Sequence, residues 1–292
     1  MLDHRLELLI KVAEIGNITT VANKLYISQP AISNQIKSLE KELNVKLFHR
    51  DKRIGLILTD VGKEILLLAK QQADLDNRIY QTAYKANNFI GGKLRIASLP
   101  VLSTALLSRA FPVYKKMYPK VSIEVYEGTP QEIRKMVSEH SVDIGISCSP
   151  FLGLDYEILI HDRLVGLFPH DAENVPKDID LHKRIEHLIL CHAGFETVME
   201  ELSELRSIGL GETLIFDNSD TVVSMVEHGN GIGILSKFTL DSIPNRLQTC
   251  EVLPTFPIEI GIEAHNLNDL TPVAAEFRHI LRDVATAADK HI

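Results

Sequence analysis

The sequence predicts an all-α N-terminal region, a long connecting helix and a C-terminal α/β region with two lobes. Three observations predict this order. Residues 18–43 have the apolar spacing of two short helices around a tight turn, residues 60–88 contain no proline and keep a near-heptad apolar spacing, and from Lys93 onward short apolar strands alternate with helical segments. At 292 residues, the chain is long enough for two domains or more.

Residues 18–43 are predicted to form a helix, a turn and a second helix. Ser28 is a favourable N-cap and Pro30 falls in the first turn, so the second helix should run from Gln29 to about Leu43. A short upstream helix, capped by Thr19, should precede a turn at 26–28. In the second helix the predicted buried stripe is Ile32, Ile36, Leu39 and Leu43, and the opposite, polar face carries Gln29, Ser33, Asn34 and Lys37. Such a face is often no more than a solvated surface, although these side chains can also pair with base edges or phosphates.

The residue order around this helix adds a more specific signal. The residues that carry it are Ala13, Glu14, Gly16, Thr19, Ala22, Leu25, the run Ser28–Ser33, Gln35, Ile36, Leu39, Glu40, Leu43, Leu47, Phe48 and Arg50, followed by Leu58, Thr59 and Gly62. They resemble the winged helix-turn-helix of LysR-type transcriptional regulators. The resemblance implies that Ser28, Gln29, Pro30, Ser33, Asn34 and Lys37 contact DNA from the recognition helix, and that Arg50, Lys52 and Arg53 contact it from the wing. This family often carries arginine where the chain has Asn34, and an amide there favours adenine over guanine.

Composition and charge narrow the choice of function class. Residues 1–60 carry nine Lys or Arg and seven Asp or Glu, so the DNA end is slightly positive within a chain of net charge −8. No apolar run is long enough to span a membrane and residues 1–10 lack a cleavage site, so we expect a cytoplasmic protein without membrane association. Three widely spaced cysteines predict no disulfide framework, and the twelve histidines have no zinc-site spacing. We expect no metal and no cofactor other than a small-molecule effector.

The stretch from Asp60 to about Asn88 is predicted to be one helix about 40 Å long. Its near-heptad positions are Val61, Ile65, Leu68, Leu75, Ile79, Thr82 and Ala86. An apolar stripe of this kind packs either on its own domain or on a second copy. The resemblance implies the second case, a homodimer that places two recognition helices on successive major grooves, and often a homotetramer. Gly91 and Gly92 then mark a hinge.

The second half is predicted to contain parallel β-α-β units. Expected strands are Leu94–Ser98, Val121–Tyr126, Val142–Ser147, Arg163–Phe168, His187–Cys191, Thr213–Phe216, Gly231–Leu235 and Pro257–His265. Expected helices are Ser103–Tyr118 with a bend at Pro112, Thr129–Glu139 with a capping box, Thr197–Ser207, Asp220–His228 and Thr271–Ala288. Gly229, Gly231 and Gly233 follow a helix and enter a strand, which is the reverse of a dinucleotide-binding loop. The pattern resembles the periplasmic-binding-protein-like (type II) effector domain of LysR-type regulators.

A cleft between the two lobes should be lined by strand ends and helix starts. The effector-binding candidates are Ser98, Pro100, Ser103, Thr129, Ser147, Cys148, Gly194, Thr197 and Ser219. Hydroxyl groups at helix N-termini favour an anionic effector, although each fits equally well as no more than a cap of its own helix. Cys148 and Cys191 near this cleft leave thiol redox sensing as an alternative.

These observations predict a DNA-binding transcriptional regulator controlled by a small molecule. The expected domains are 1–59 for DNA binding, 60–90 for the linker helix and 91–292 for effector binding, with lobe 1 at about 91–162 and 267–292 and lobe 2 at about 163–266. An α/β enzyme with a helical appendage is the rival, but no nucleophile elbow, phosphate loop or metal motif supports it. A solute-binding protein is a third possibility, which the N-terminal motif opposes.

Overall fold

The computed structural model describes residues 3–51, 55–86, 91–183, 185–191, 213–255 and 257–289. These residues divide into two compact units, Met1–Phe89 with Glu139–Ser141 and Ile90–Ser138 with Val142–Ile292. Four of the predicted site residues, Lys52, Arg53, Gly194 and Thr197, lie outside the described residues, as does the predicted helix Thr197–Ser207. Among the described residues, no helix has both the length and the apolar character needed to cross a bilayer.

The first unit contains three short helices, a β-hairpin and a long helix. In chain order they are α1 (His4–Ile15), α2 (Ile18–Leu25), α3 (Gln29–Leu43), β1 (Phe48–Asp51), β2 (Gly55–Leu58) and α4 (Asp60–Ala86). The strands β1 and β2 pair antiparallel. The core is made by aliphatic residues of α1, α2, α3 and the segment before β1, such as Leu9, Val21, Ile32 and Leu47. The predicted helix-turn-helix and the long helix are confirmed.

Two local predictions in this unit are wrong. Asn17, and not Thr19, caps α2, because the Asn17 side chain accepts a hydrogen bond from the backbone N–H of Thr20 at 3.1 Å. Thr19 is the second residue of the helix. Leu43 is 42% exposed although it continues the stripe of Ile32, Ile36 and Leu39. It occupies the last turn, where Asn44 ends α3 in the left-handed conformation with φ of 54°.

The second unit is built on a ten-stranded sheet. Its strands are β3 (Gly92–Ser98), β4 (Val121–Glu127), β5 (Ile144–Cys148), β6 (Asp155–Phe168), β7 (Asp178–Asp180), β8 (Leu188–Cys191), β9 (Thr213–Phe216), β10 (Ile232–Ser236), β11 (Gln248–Leu253) and β12 (Pro257–Ala264). The main path has the order β4-β3-β5-β12-β6-β10-β8-β9, and β11 pairs with β6 and β7. Its helices are α5 (Pro100–Leu102), α6 (Ser108–Met117), α7 (Pro130–Ser138), α8 (Ser219–Glu227), α9 (Lys237–Asp241) and α10 (Pro272–Asp289).

Two parallel groups of strands form the two lobes. In the first lobe β3 pairs parallel with both β4 and β5, and in the second β8 pairs parallel with both β9 and β10. Strand β6 belongs to both, because it pairs with β12 over Asp155–Arg163 and with β10 and β11 over its last residues. The fold is therefore the two-lobed arrangement that the sequence predicts.

Several details of the second unit differ from the predictions. The antiparallel pairs made by β6 and β12 replace a purely parallel scheme, and β6 begins at Asp155 rather than Arg163. Strands β7 and β11 and helix α9 were not predicted. The helix expected at Ser103 begins at Pro100, passes through a π-helical turn at Ser103–Leu107 and continues past Pro112. Strand β12 lies in the range expected for lobe 2, but it pairs with β5 of the first lobe.

Candidate nucleic-acid interface and ligand cleft

The polar side of α3 is exposed and its apolar side is buried. Gln29, Pro30, Asn34 and Lys37 are exposed and Ser33 is half-buried; together these five residues are called the recognition face below. Ser28 Oγ accepts a hydrogen bond from the N–H of Ala31 at 3.3 Å, which fixes the start of the helix. The amides of Gln29 and Asn34 can each donate and accept, as bidentate contact with a base edge requires, and Lys37 supplies a positive charge for a phosphate.

The turn before α3 exposes a residue that the sequence analysis did not select. Tyr26 ends α2 in the left-handed conformation with φ of 55° and is 96% exposed. Its backbone N–H donates to α2, and the N–H of Ile27 donates to the carbonyl of Ala22 at 3.1 Å. The apolar pattern breaks at this turn, and that break is the sequence signal from which the exposed ring could have been predicted.

A buried carboxylate ties α3 to the hairpin. Glu40 is 8% exposed and accepts hydrogen bonds from the N–H groups of Leu47 at 3.0 Å and Phe48 at 3.4 Å and from Lys46 Nζ at 2.7 Å. Burial by itself would raise the pKa of Glu40, but these hydrogen bonds outweigh burial and hold the pKa below its usual value. The carboxylate therefore stays ionised and fixes the entry into β1.

The exit from the hairpin depends on Gly62. A Cβ at this position would lie 2.3 Å from the carbonyl oxygen of Leu47, so only glycine fits. The hydroxyl of Thr59 donates to the carbonyl of Lys46 at 2.6 Å and closes the same junction. Arg50 lies in β1, opposite Leu56 of β2. Of the three predicted wing residues, it is the one whose backbone falls within the described residues.

In the second unit, a cavity of about 360 Å³ lies between the two lobes, and it is called the cleft below. The start of α5, the end of β4 and the N-terminus of α7 line it from one lobe, and the segment before α8 with the first turn of that helix lines it from the other. Three of the predicted effector-binding residues line this cavity, namely Pro100, Thr129 and Ser219. The structure therefore brings together residues that are far apart in the sequence.

Four other predicted effector-binding residues are not among those that line the cleft. Ser98 is fully buried and its hydroxyl donates to the carbonyl of Leu99 at 3.1 Å. Ser147 is also buried, and Cys148 lines a separate, small cavity of about 20 Å³. The Ser103 hydroxyl oxygen is buried and has no hydrogen-bond partner among the residues that the structure describes.

Acidic residues form the part of the cleft that the sequence analysis missed. Glu127 and Glu132 come from the first lobe and Asp217 and Asp220 from the second, and all four side chains are exposed. The N–H and hydroxyl of Thr129 donate to Glu132 at 2.9 and 3.0 Å, and the N–H of Glu132 donates back to Thr129 at 3.3 Å. The predicted capping box is therefore present. The hydrogen bonds from Thr129 lower the pKa of Glu132, although the negative charge of Asp217 opposes this shift.

All three cysteines lie in the interior of the second unit. Cys148, Cys191 and Cys250 are all buried, and burial raises the pKa of the Cys250 thiol, which disfavours its reactive thiolate. Cys191 Sγ lies 3.5 Å from Ser219 Oγ. Within the described ranges, no group of three or more His, Cys, Asp or Glu residues has the geometry to hold a metal ion.

Known protein families match both units of the chain. Residues 4–63 match the family described as bacterial regulatory helix-turn-helix protein, lysR family, and residues 88–286 match the LysR substrate binding domain. The uncharacterized HTH-type transcriptional regulator YoaU of Bacillus subtilis (strain 168) is 40% identical to this chain over 283 residues, covering 96% of the chain and 98% of that protein.

Two solved structures show the same fold over nearly the whole chain. A full-length OxyR variant from Pseudomonas aeruginosa has a TM-score of 0.72 at 21% identity and covers 96% of this chain and 93% of that one. Full-length CbnR in complex with its target DNA has a TM-score of 0.62 at 18% identity and covers 96% of this chain and 99% of that one.

Proposed function

This chain belongs to the LysR family of DNA-binding transcriptional regulators and carries that family's effector-binding domain, and we propose that its recognition face reads operator DNA under the control of a ligand in the cleft. One observation carries the DNA part of this proposal. The exposed polar side chains of α3 are held at fixed positions by the buried Ile32, Ile36 and Leu39 on the other side of the same helix. The family itself consists of transcriptional regulators rather than enzymes.

The proposal assigns a role to each part of the DNA-binding region. Gln29 and Asn34 contact base edges, with Asn34 preferring adenine, and Pro30 and Ser33 pack close to the bases. Backbone contacts come from Ser28 and Lys37 on α3, and from the wing residues Arg50, Lys52 and Arg53. Residues 1–60 have only a small excess of positive charge, which supports DNA binding through a few phosphate contacts rather than through a broad basic surface.

Self-association in the cytoplasm is a further part of the proposal. Leu68, Leu75 and Ile79 of α4 are 62%, 54% and 65% exposed, and this set is called the α4 stripe below. Three large aliphatic side chains at heptad-like spacing favour pairing with the same helix of a second copy. A homodimer of this kind, or a homotetramer built from it, presents two recognition helices to one operator. The proposed domains are 1–59, 60–90 and 91–292, the last with the lobe boundaries given above.

The ligand part of the proposal rests on the cleft. Its volume suits a small molecule, and binding between two lobes offers a route from ligand to conformational change. The sequence predicts an anionic effector, and the two helix N-termini at Thr129 and Asn218 support that class. The four carboxylates of the cleft oppose it.

The test is a mobility shift of the full-length protein on its own upstream intergenic DNA, where regulators of this family often bind. We expect sequence-specific binding that the variant Gln29→Ala/Asn34→Ala loses and that Lys11→Ala, an exposed substitution on α1, retains. We also expect Val101→Trp, which fills the cleft, to abolish any response to small molecules. Specific binding that survives loss of the recognition face contradicts the proposal.

A further inference from the structure

The charge of the cleft points to a class of ligand, an inference that rests on the proposed function of the cleft as the effector site. Glu127 and Glu132 face the cavity from one lobe, and Asp217 and Asp220 face it from the other. Among the described residues that line the cavity, none is Lys, Arg or His.

The carboxylates of the two lobes act on each other. Hydrogen bonds from Thr129 keep Glu132 ionised, and the charge of Asp217, on the opposite lobe, acts against that ionisation. Two like charges on facing walls repel, and the repulsion grows as the walls approach. A positive group placed between them removes this repulsion and favours a closer arrangement of the lobes.

The backbone N–H groups at the starts of α7 and α8 are less available to an anion than their position suggests. At the start of α7, the N–H of Thr129 already donates to the carboxylate of Glu132 at 2.9 Å. At α8, the side chain of Asn218 accepts from the N–H of Asp220 at 2.7 Å. An anionic ligand would therefore compete with acceptors of the chain itself and would approach four carboxylates.

The form of the cavity restricts the kind of cation. No described group of three or more carboxylate, imidazole or thiol ligands converges closely enough to hold a metal ion. The negative charges are instead distributed over a cavity of about 360 Å³, one wall of which is formed by Leu99, Pro100 and Val101. We propose that the effector is a small organic cation, with an ammonium or guanidinium group held between the carboxylates of the two lobes and a hydrocarbon part packed on that apolar wall.

The experiment compares two probes of similar length and opposite charge, agmatine and adipate, by calorimetric titration into the full-length protein at fixed ionic strength. We expect agmatine to bind with a Kd of about 1 mM or tighter and adipate not to bind. The variant Glu127→Gln/Asp220→Asn should weaken agmatine binding by about three- to tenfold, because each exposed carboxylate contributes modestly. The matched control, Glu173→Gln/Asp283→Asn, removes two exposed carboxylates outside the cleft lining and should bind agmatine as the wild type does.

The outcomes separate this inference from the proposed function. Binding of adipate without agmatine, lost in Val101→Trp and accompanied by a change in operator affinity, overturns the cationic class and leaves the cleft as an effector site. No binding of agmatine up to about 10 mM overturns the cationic class, whatever adipate does. Agmatine binding that is equally strong in Glu127→Gln/Asp220→Asn also overturns it. The operator experiment with Val101→Trp judges the proposed function separately.

Discussion

The recognition face and the cleft are built in opposite ways. The recognition face comes from one helix, spans nine consecutive positions and carries a single charge, that of Lys37. The cleft comes from segments between Leu99 and Asp220 on two lobes and carries four carboxylates. A surface on one helix keeps its geometry as long as its own core is intact. A cavity between two lobes changes shape when the lobes move, so the first suits fixed recognition and the second suits control.

The packing around each region supports this difference. Buried aliphatic residues such as Leu9 and Ile32 form the core beneath the helices of the first unit, and Glu40 fixes the end of α3 to the hairpin. The two sheets on either side of the cleft share strand β6, which pairs with β12 in one lobe and with β10 and β11 in the other. Small rotations about such a shared strand move one wall of the cleft relative to the other.

The largest effect is expected from a substitution that tests whether two recognition faces, one from each copy, bind one operator together. Leu75→Asp places a charge in the α4 stripe, and we expect it to convert the proposed dimer to monomers and weaken operator binding on the order of 100-fold, because the second contact is no longer intramolecular. Light scattering and fluorescence anisotropy measure the two effects. Leu67→Asp is the control, since this residue is 37% exposed and lies about 100° from Leu68 around the helix. Unchanged mass and affinity in Leu75→Asp would show that one recognition helix suffices.

The next effect sharpens the role of single side chains in the recognition face. Asn34→Arg should move base preference from adenine towards guanine by about 1–3 kcal/mol, because arginine pairs with two acceptors of guanine. Competition binding with single-base variants of the operator measures the preference, and Gln35→Ala, an exposed change on another side of α3, serves as control. An identical preference profile in Asn34→Arg would remove Asn34 from the set of base contacts.

The difference between the two regions also explains what the sequence could predict. The bounds of α3 follow from local signals, since Ser28 and Pro30 start the helix. The prediction of Thr19 as the cap of α2 was wrong because Asn17, two positions earlier, is also a residue type that caps helices. The exposure of Leu43 was missed because periodicity identifies a helix face and not where its packing partners end.

The cleft could not be predicted in the same way. Glu127 ends β4, and Asp217 and Asp220 flank the start of α8, so each looks like an ordinary surface or capping charge in the sequence. They meet only because of the strand order β4-β3-β5-β12-β6-β10-β8-β9. The antiparallel pairing of β6 and β12, on which that order depends, leaves no periodic signal, since a strand has the same pattern whichever partner it takes. The expectation of an anionic ligand therefore considered the helix starts without the carboxylates beside them.

A smaller effect tests how firmly α3 is fixed to its unit. Glu40→Gln should destabilise the segment 29–48 by about 1–2 kcal/mol at pH 7, because the N–H groups of the buried Leu47 and the half-buried Phe48 lose a charged acceptor. Hydrogen exchange of that segment measures the change, with the exposed Glu14→Gln as control. The pKa of Glu40 is lowered by folding, so its stabilisation is complete above the usual value of 4.5 and is lost as pH falls through the lower, folded pKa. A difference between wild type and variant that grows on acidification would contradict this assignment.

The smallest effect separates phosphate contact from base contact. Lys37→Ala should weaken binding to all DNA sequences by about 1 kcal/mol or less and lower the slope of log affinity against log salt by about 1. Anisotropy titrations at several salt concentrations measure the slope, and Lys11→Ala controls for the loss of one positive charge on the first unit. A change in base preference with an unaltered slope would instead make Lys37 a base contact.

The central claim is that the recognition face reads DNA, and the most direct test is an anisotropy titration of wild type and Gln29→Ala/Asn34→Ala on the upstream intergenic fragment and on a scrambled fragment of equal composition. The account predicts that wild type prefers the upstream fragment by roughly 1,000-fold or more and that the variant loses most of this preference while keeping its salt-dependent binding to both fragments. A variant that still prefers the upstream fragment as strongly as wild type does would contradict the account.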